Sequence, residues 1–210
     1  MYLPTHFEET RAEVLHAALR AHPLGLLITQ GDGGLAANPI PFMLDVAEDG
    51  SRVLRGHVAR ANPLWREARG DVDSLVVFQG PQAYVSPGWY ASKAETGKVV
   101  PTWNYVMVQA RGPLRVKDDA AWLHALVTRL TERHEAPQAA PWAVSDAPSD
   151  YITTMLRAIV GIEIPLSSLT GKWKVSQNRN AADREGVAQG LDARGGALAD
   201  MAREVRRSGP

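Results

Sequence analysis

The stretch Gly56-His57-Val58-Ala59-Arg60-Ala61-Asn62-Pro63-Leu64-Trp65 joins two kinds of secondary structure, and the rest of the chain can be arranged around it. Residues 52–58 alternate between polar and apolar side chains, as in a half-buried strand. Asn62 before Pro63 is typical of a helix start, with Asn62 as the N-cap and Pro63 at the first helical position. The stretch therefore predicts a strand, a turn and a short helix at residues 63–69.

The arginine in this turn admits two interpretations. A helix start presents free N–H groups and the positive end of the helix dipole, and together with Arg60 these groups would bind a phosphate. The same ten residues also fit a capped helix that carries a solvated arginine. Both interpretations stay open on this stretch alone.

The composition limits the class of protein. The chain has 210 residues, of which 45% are hydrophobic and 22% charged, as is usual for a soluble globular protein. The 23 Lys and Arg residues balance 23 Asp and Glu residues, so no overall positive field is available to hold nucleic acid. The chain has no cysteine, which excludes disulfides and thiolate metal sites. Without a signal pattern or an apolar run of membrane length, we expect a cytoplasmic protein with no membrane contact.

The patterns along the chain predict short strands, with helices inserted between some of them. We expect helices at residues 10–22, begun by a capping box from Thr10 to Glu13, at 118–130, capped by Asp118, at 151–159, and from Asn180 onward. We expect strands at residues 24–29, 35–44, 52–58, 74–79, 83–86, 99–110, 160–164 and 172–175. This order predicts a mainly β protein with peripheral helices (α+β), built as an antiparallel barrel of Greek-key type.

Three of these segments allow finer predictions. Pro39 and Pro41 each remove a hydrogen-bond donor, so their strand should lie at a sheet edge or contain a bulge. The strand at 99–110 is largely apolar on both faces and should be central. We expect a single domain at residues 1–191 and a C-terminal tail at 192–210 that frays, because no clear apolar stripe is visible there.

Two further segments share unusual chemistry with the first stretch. They are Glu95-Thr96-Gly97-Lys98-Val99-Val100-Pro101-Thr102-Trp103-Asn104-Tyr105 and Gly171-Lys172-Trp173-Lys174-Val175-Ser176-Gln177-Asn178-Arg179. With them, the sequence resembles the PaiB family, flavin-binding split-barrel proteins usually named as negative transcriptional regulators. The resemblance runs from Met1 to about Leu191, and it is carried by the order of the motifs along the chain.

The resemblance implies a split β-barrel that forms a homodimer, with two FMN sites along the dimer interface. It implies cofactor-binding roles for eight residues, which are His57, Arg60, Asn62, Thr102, Trp103, Asn104, Lys172 and Arg179. Arg60 and Asn62 would meet the phosphate, with Lys172 as a second cation, while Thr102 and Asn104 would reach ring or ribityl oxygens. Trp103 and Trp173 would offer stacking faces. The resemblance implies no catalytic residue.

Structural roles stay open for several of these residues. Trp103 is equally an ordinary core residue, and Lys172 and Lys174 around Trp173 also fit an exposed strand. The run from Ser176 to Arg179 fits a helix cap, and we expect His57 to bond to the backbone. No zinc-protease spacing, His-carboxylate cluster or nucleophile elbow is present, so we expect no metal and no hydrolase.

Two functions from different classes follow. The first is an FMN-binding homodimer that affects gene expression, responding to flavin or redox state. The second is a flavin-dependent oxidoreductase that passes a hydride or electrons to a small substrate. Because the chain has no recognisable helix-turn-helix or basic reading helix, direct DNA binding is not expected.

Overall fold

The structure, a computed structural model, describes residues 1–208, and the chain divides into two compact units. Unit 1 consists of Met1–His22, Phe78–Gln109 and Thr170–Pro210. Unit 2 consists of Pro23–Val77 and Ala110–Leu169. A single domain at residues 1–191 stays a prediction.

The strands are β1 (Glu8–Glu9), β2 (Leu24–Gly31), β3 (Gly34–Pro41), β4 (Met43–Val46), β5 (Arg52–Ala59), β6 (Asp73–Val85), β7 (Thr102–Pro113), β8 (Arg115–Lys117), β9 (Ile159–Pro165) and β10 (Ser168–Lys174). The helices are α1 (Ala12–Ala21), α2 (Leu64–Glu67), α3 (Ser92–Thr96), α4 (Ala120–Glu135), α5 (Ser149–Arg157), α6 (Ala181–Asp192) and α7 (Leu198–Arg207). Short 3-10 turns occur at Thr5–Phe7, Pro87–Trp89 and Val144–Asp146. Each strand and each helix expected from the sequence has a counterpart here.

Unit 2 is built on two sets of antiparallel strands. In one, β2 pairs with β3 through a tight hairpin and with the first part of β6, so β3 lies at an edge. This edge position confirms the prediction from Pro39 and Pro41. The other set has the order β4-β5-β9-β8, in which β5 pairs with β9 along its length and places His57 opposite Gly161. Leu54, Ile162 and Ile164 are buried along this pair.

Unit 1 contains the strand order β1-β10-β7-β6. The central place of β7 confirms the sequence prediction. Its residues alternate, with Asn104, Val106 and Val108 buried while Trp103 is exposed. The buried face of the unit includes two C-terminal helices, and its core residues are Ala83, Val85, Tyr90, Val106, Val175, Val187, Ala188, Leu191, Met201, Ala202 and Val205.

Several local expectations were wrong. The cap of α4 is Asp119, whose side chain accepts from the N–H of Trp122 at 2.7 Å, and not its neighbour Asp118. The first turn of α1 lacks the capping box, since its N-cap is Arg11 without a side-chain bond. Helix α2 has four residues and ends at Glu67 rather than 69.

The tail that we expected to fray contains a folded helix. Helix α7 places Met201, Ala202 and Val205 in the core of unit 1, each fully buried. Gly195 and Gly196 both have positive φ, 65° and 60°, which lets the chain reverse between α6 and α7. Residues 209–210, which belong to the same expectation, lie outside the described residues.

Candidate functional site

The guanidinium of Arg60, in the turn after β5, is fully engaged within unit 2. Its Nη1 and Nη2 donate to the two carboxylate oxygens of Asp118 at 2.9 and 2.6 Å. Its Nε donates to the carbonyl oxygen of Arg157 at 2.7 Å, and Nη2 also donates to that of Ile159 at 3.0 Å. The two-pronged pair with Arg60 lowers the pKa of Asp118. The positive charge of Arg60 is therefore already balanced by a carboxylate.

Asn62 bonds to the backbone at the start of α2, but the helix begins at Leu64 with Pro63 as its N-cap, one residue later than the sequence indicated. The Oδ1 of Asn62 accepts from the N–H of Leu64 at 3.0 Å, and its Nδ2 donates to Oδ1 of Asn38 at 2.9 Å. A cavity of about 660 Å³ lies between this helix start and the β2–β3 hairpin, and Glu67 is the charged residue in its lining. The cavity beside Asn62 offers no cation for a phosphate.

His57 differs from the sequence expectation of a backbone hydrogen bond. Its Nδ1 is buried and has no hydrogen-bond partner among the described residues. Burial lowers the pKa of the imidazole below its usual 6.5, so the ring is neutral near pH 7. A buried polar atom without a partner is rare in folded proteins, so the Nδ1 of His57 stands out among the expected site residues.

Among the cations of unit 1 that form no salt bridge with a carboxylate of the described residues, three lie on or just after β10. They are Lys172, Lys174 and Arg179, whose contacts are instead with oxygens and aromatic rings. The Nζ of Lys172 donates to the carbonyl oxygen of Tyr2 at 3.0 Å, and the side chain is only 7% exposed. The guanidinium of Arg179 lies 4.7 Å from the ring centre of Tyr90.

Lys174 joins these cations to the strand that carries Trp103. Its Nζ bonds to the hydroxyl of Thr102 and donates to the carbonyl oxygen of Trp103 at 2.7 Å. Burial lowers the pKa of Lys174 below its usual 10.5, and the positive charges of Lys172 and Arg179 lower it further against an opposing contribution from Tyr105. Because like charges lower this pKa, a bound anion would relieve their repulsion.

The exposed face of β7 provides an open aromatic surface. Trp103 is 54% exposed and meets Tyr84 edge to face, with 6.2 Å between ring centres. Both lysine ammonium groups lie near the ring of Tyr105, at 5.3 and 6.0 Å from its centre. A cavity of about 220 Å³ adjoins this face, lined by Gln79, Gly80, Gln82, Trp103, Tyr105, Val106 and Met107. Trp103 is therefore not a core residue, and its stacking role stays a prediction.

Trp173 and Asn104 lie away from this face. Trp173 packs against the core of unit 1, and its Nε1 donates to Oε2 of Glu204 at 3.2 Å. Asn104 is buried and donates from Nδ2 to Oγ of Ser176 at 2.8 Å. The helix cap suggested for residues 176–179 comes instead from Asn180, which accepts from the N–H of Asp183 at 2.8 Å.

The expected site residues thus fall into two groups. His57, Arg60 and Asn62 belong to unit 2, and Thr102, Trp103, Asn104, Lys172 and Arg179 belong to unit 1. The sequence prediction omitted Lys174 from the site. Its spacing from Lys172 was the available signal, since strand residues two apart share a face.

The donor set of the chain fits FMN. A phosphate requires cations and hydrogen-bond donors, which Lys172, Lys174 and Arg179 supply without a competing carboxylate. The flat ring requires an apolar wall, which the exposed Trp103 offers. No described helix is both long and apolar enough to cross a membrane. Within residues 1–208, no group of three metal-ligating side chains forms a candidate metal site.

Comparisons with known proteins agree with this chemistry. Residues 1–168 match the model of a family described as "Putative FMN-binding domain". The chain is 36% identical to an uncharacterized protein of Emericella nidulans, over 91% of this chain and 90% of that protein. It is 32% identical to the protease synthase and sporulation protein PAI 2 of Bacillus subtilis, over 91% of this chain and 89% of that protein.

A solved structure shows the same fold at lower identity. The FAD and heme binding protein from Mycobacterium smegmatis superposes with a TM-score of 0.57 and 20% identity, covering 80% of this chain and 73% of that one. The fold is therefore that of the flavin-binding split barrels, although the described strands form no closed barrel. Fold, donor set and the family match together identify this chain as an FMN-binding protein of the PaiB family.

Proposed function

We propose that Lys172, Lys174 and Arg179 hold the phosphate of FMN. The observation that carries the proposal is that these three cations face oxygens and aromatic rings and pair with no carboxylate of residues 1–208. Arg60 is the weaker candidate, because Asp118 already balances its charge and two carbonyl groups accept hydrogen bonds from two of its other donors. We therefore assign the phosphate contact to these cations of unit 1 and not to Arg60, where the sequence led us to expect it.

The remaining contacts follow from the same chemistry. Trp103 supplies the apolar wall for the flavin ring, and Thr102 keeps Lys174 in place through its hydroxyl. Within unit 2, Asn62 holds the turn after β5 in shape through its hydrogen bonds to Leu64 and Asn38. Bound FMN would supply one- or two-electron transfer.

We further propose that the chain is a cytoplasmic homodimer. Several large apolar side chains are more than two-fifths exposed, namely Leu24, Leu26, Leu35, Tyr84, Trp103, Tyr151 and Met155. Two pairs of them are adjacent, since Tyr84 meets Trp103 and Tyr151 lies one helical turn before Met155 in α5, and adjacent exposed apolar side chains are typical of surfaces that bind another chain. Helix α5 supports this proposal, because it has no buried residue despite its apolar face.

For the biological role, we propose a PaiB-type negative regulator that responds to bound flavin and acts without touching DNA. The sequence offers one basic run, at Arg52, Arg55, Arg60, Arg66 and Arg69. Carboxylates pair with Arg55, Arg60 and Arg69, and the guanidinium of Arg66 stacks on Trp65 at 4.4 Å. Paired cations release few counterions on meeting a phosphate backbone, so binding to DNA would be weak.

A flavin-dependent oxidoreductase is the second candidate. The observation that favours it is the cavity of about 220 Å³ beside Trp103, which leaves space for a small molecule next to the proposed flavin wall. Anaerobic addition of a nicotinamide donor separates the two roles. An enzyme would bleach the flavin absorbance and recover it with a small oxidised substrate over many cycles, whereas a regulator would not turn over.

The binding test compares FMN with riboflavin, which has the same ring but no phosphate. Titration into purified protein should quench the fluorescence of both ligands, with FMN bound at least about tenfold more tightly because one charge-assisted contact is worth about 1.5–3 kcal/mol. Equal affinity for the two flavins would refute phosphate recognition by these cations.

Fluorescence anisotropy of a random DNA duplex at about 0.15 M salt tests the regulator proposal. Sub-micromolar binding would contradict action without DNA contact.

A further inference from the structure

We propose that Asn104 is a positioning residue, whose buried amide holds the turn at residues 175–179 and thereby directs Arg179 toward the phosphate site. The inference rests on the proposed phosphate site and deepens it. It also assigns Asn104 a different role from the direct cofactor contact expected from the sequence. Asn104 and Ser176 then influence phosphate recognition without touching the cofactor.

The first observation is a buried polar pair. Asn104 is 1% exposed and Ser176 is 4% exposed, and 2.8 Å separates the amide nitrogen of Asn104 from the hydroxyl oxygen of Ser176. Removing one partner of such a pair leaves the other unsatisfied, which costs more than the hydrogen bond itself contributes. The bond therefore fixes the start of the turn to the central strand β7.

The second observation is the backbone of Ser176. Its φ of 66° lies in the left-handed region, and Ser176 is the one non-glycine residue with positive φ in the described part of the chain. A side chain in this region is strained and persists only where the surroundings hold it. The bond from Asn104 is the side-chain contact that holds Ser176 in this conformation.

The third observation concerns the rest of the turn. The Gln177 side chain accepts from the N–H of Val175 at 2.8 Å and donates to the carbonyl oxygen of Trp173. The N–H of Arg179 donates to the carbonyl oxygen of Ser176 at 2.9 Å. Because the turn is closed by its own hydrogen bonds, a change at Ser176 passes directly to the backbone of Arg179.

The test combines Asn104→Leu with Arg179→Ala in a double-mutant cycle. Asn104→Leu keeps a similar volume but removes the donor, and it should weaken FMN by about tenfold relative to riboflavin. In the Arg179→Ala background the same change should cause no further loss of this FMN preference, since the positioned cation is gone. Equal weakening of both flavins, or an unchanged preference, would overturn the inference in favour of a ring contact or a purely structural role.

Ser176→Ala provides the second variant if Asn104→Leu fails to fold. It removes only the hydroxyl that Asn104 binds, so it should reduce the FMN preference to a similar extent. Circular dichroism of each variant establishes that the comparison is made on folded protein. An unchanged preference in folded Ser176→Ala would count against the inference.

A measurement without flavin separates this inference from the proposed phosphate site. Amide hydrogen exchange in Asn104→Leu or Ser176→Ala should be faster at Arg179, whose N–H bonds to Ser176, and unchanged in helix α4. If Lys174→Ala and Arg179→Ala do not alter the FMN preference, the phosphate site is wrong, whatever the exchange shows. If exchange at Arg179 is unchanged in folded variants, the positioning role is wrong even where the phosphate site holds.

Discussion

Arg60 and Lys174 both carry a positive charge, but their surroundings give those charges different uses. Arg60 pairs with Asp118 and with two backbone carbonyl groups. Its hydrogen bonds therefore join the turn after β5 to the segment before α4 and to the start of β9. Lys174 has only neutral oxygens as partners and lies near two other cations. A phosphate would gain an attraction at Lys174 that Asp118 cancels at Arg60.

The pH dependence of FMN binding follows from Lys174. A bound phosphate favours the charged ammonium, so it raises the lowered pKa of Lys174 and binding takes up a proton. FMN affinity should therefore be highest below the pKa of the free protein and fall as the pH rises through it, beginning below 10.5. Titrations of FMN at increasing pH would measure this decline.

Lys174→Arg is the matched control for this prediction. Arginine keeps its charge throughout the alkaline range, so this variant should lose most of the decline in FMN affinity. Riboflavin affinity should follow the same pH profile in both proteins. An identical alkaline decline of FMN affinity in wild type and Lys174→Arg would assign the titration to another group.

Arg60→Ala should show that Arg60 stabilises the fold and does not bind the phosphate. Removing the guanidinium leaves Asp118 and two carbonyl groups without their donors, so the melting temperature should fall while any weakening is equal for FMN and riboflavin. Asp118→Ala should lower the melting temperature similarly, because it breaks the same pair. A selective loss of FMN affinity in Arg60→Ala alone would restore Arg60 as the phosphate ligand.

For the individual site residues, the sequence predicted which face of a strand they occupy better than it predicted their roles. The alternation of β7 correctly separated the face of Trp103 from that of Asn104, since strand geometry is periodic. The partner of Arg60 lies 58 positions away, and no local pattern could reveal it. Likewise, the bond between Asn104 and Ser176 spans 72 positions and depends on the arrangement of β7 and β10.

Among the elements, those with strong periodicity or turn signals were predictable. The β2–β3 hairpin follows from its glycine turn, and the edge position of β3 follows from its prolines. The sequence predicted two strands, at residues 74–79 and 83–86, but β6 runs through Gly80 as a single strand. The glycine instead permits close packing, since a Cβ there would lie 3.0 Å from Val106.

Helix α7 was missed because its buried face is short and partly made of alanine. Its apolar residues Leu198, Met201, Ala202 and Val205 are spaced as on one helical face, but they are separated by charged residues. The same helix supports β10 from the core side, since Glu204 accepts a hydrogen bond from Trp173. The C-terminal residues thus stabilise the strand that carries both lysines.

Met201→Ala tests whether α7 is an integral part of unit 1. Met201 is fully buried, so the variant should lose about 2–5 kcal/mol of unfolding free energy through a cavity in the core. Chemical denaturation would measure this loss. Arg203→Ala, an exposed change on the same helix, should stay within about 0.5 kcal/mol of wild type. Equal stability of all three proteins would mean that α7 is undocked in solution.

For the whole molecule, zero net charge and exposed apolar side chains favour association with a second copy. Light scattering at micromolar concentration should report about twice the chain mass of 22.8 kDa. Lowering the concentration further should not change this mass if the interface is large and apolar. A mass of one chain at micromolar concentration would contradict the homodimer.

FMN should be recognised through its phosphate by the cations of β10 and the following turn. The most direct test is the ratio of FMN to riboflavin affinity, measured by fluorescence quenching in wild type, Lys174→Ala, Arg179→Ala and Arg60→Ala. Lys174→Ala and Arg179→Ala should each lower FMN affinity by about 10- to 150-fold with little effect on riboflavin, and Arg60→Ala should leave the ratio unchanged. A ratio that falls in Arg60→Ala and is preserved in the other two variants would contradict the claim.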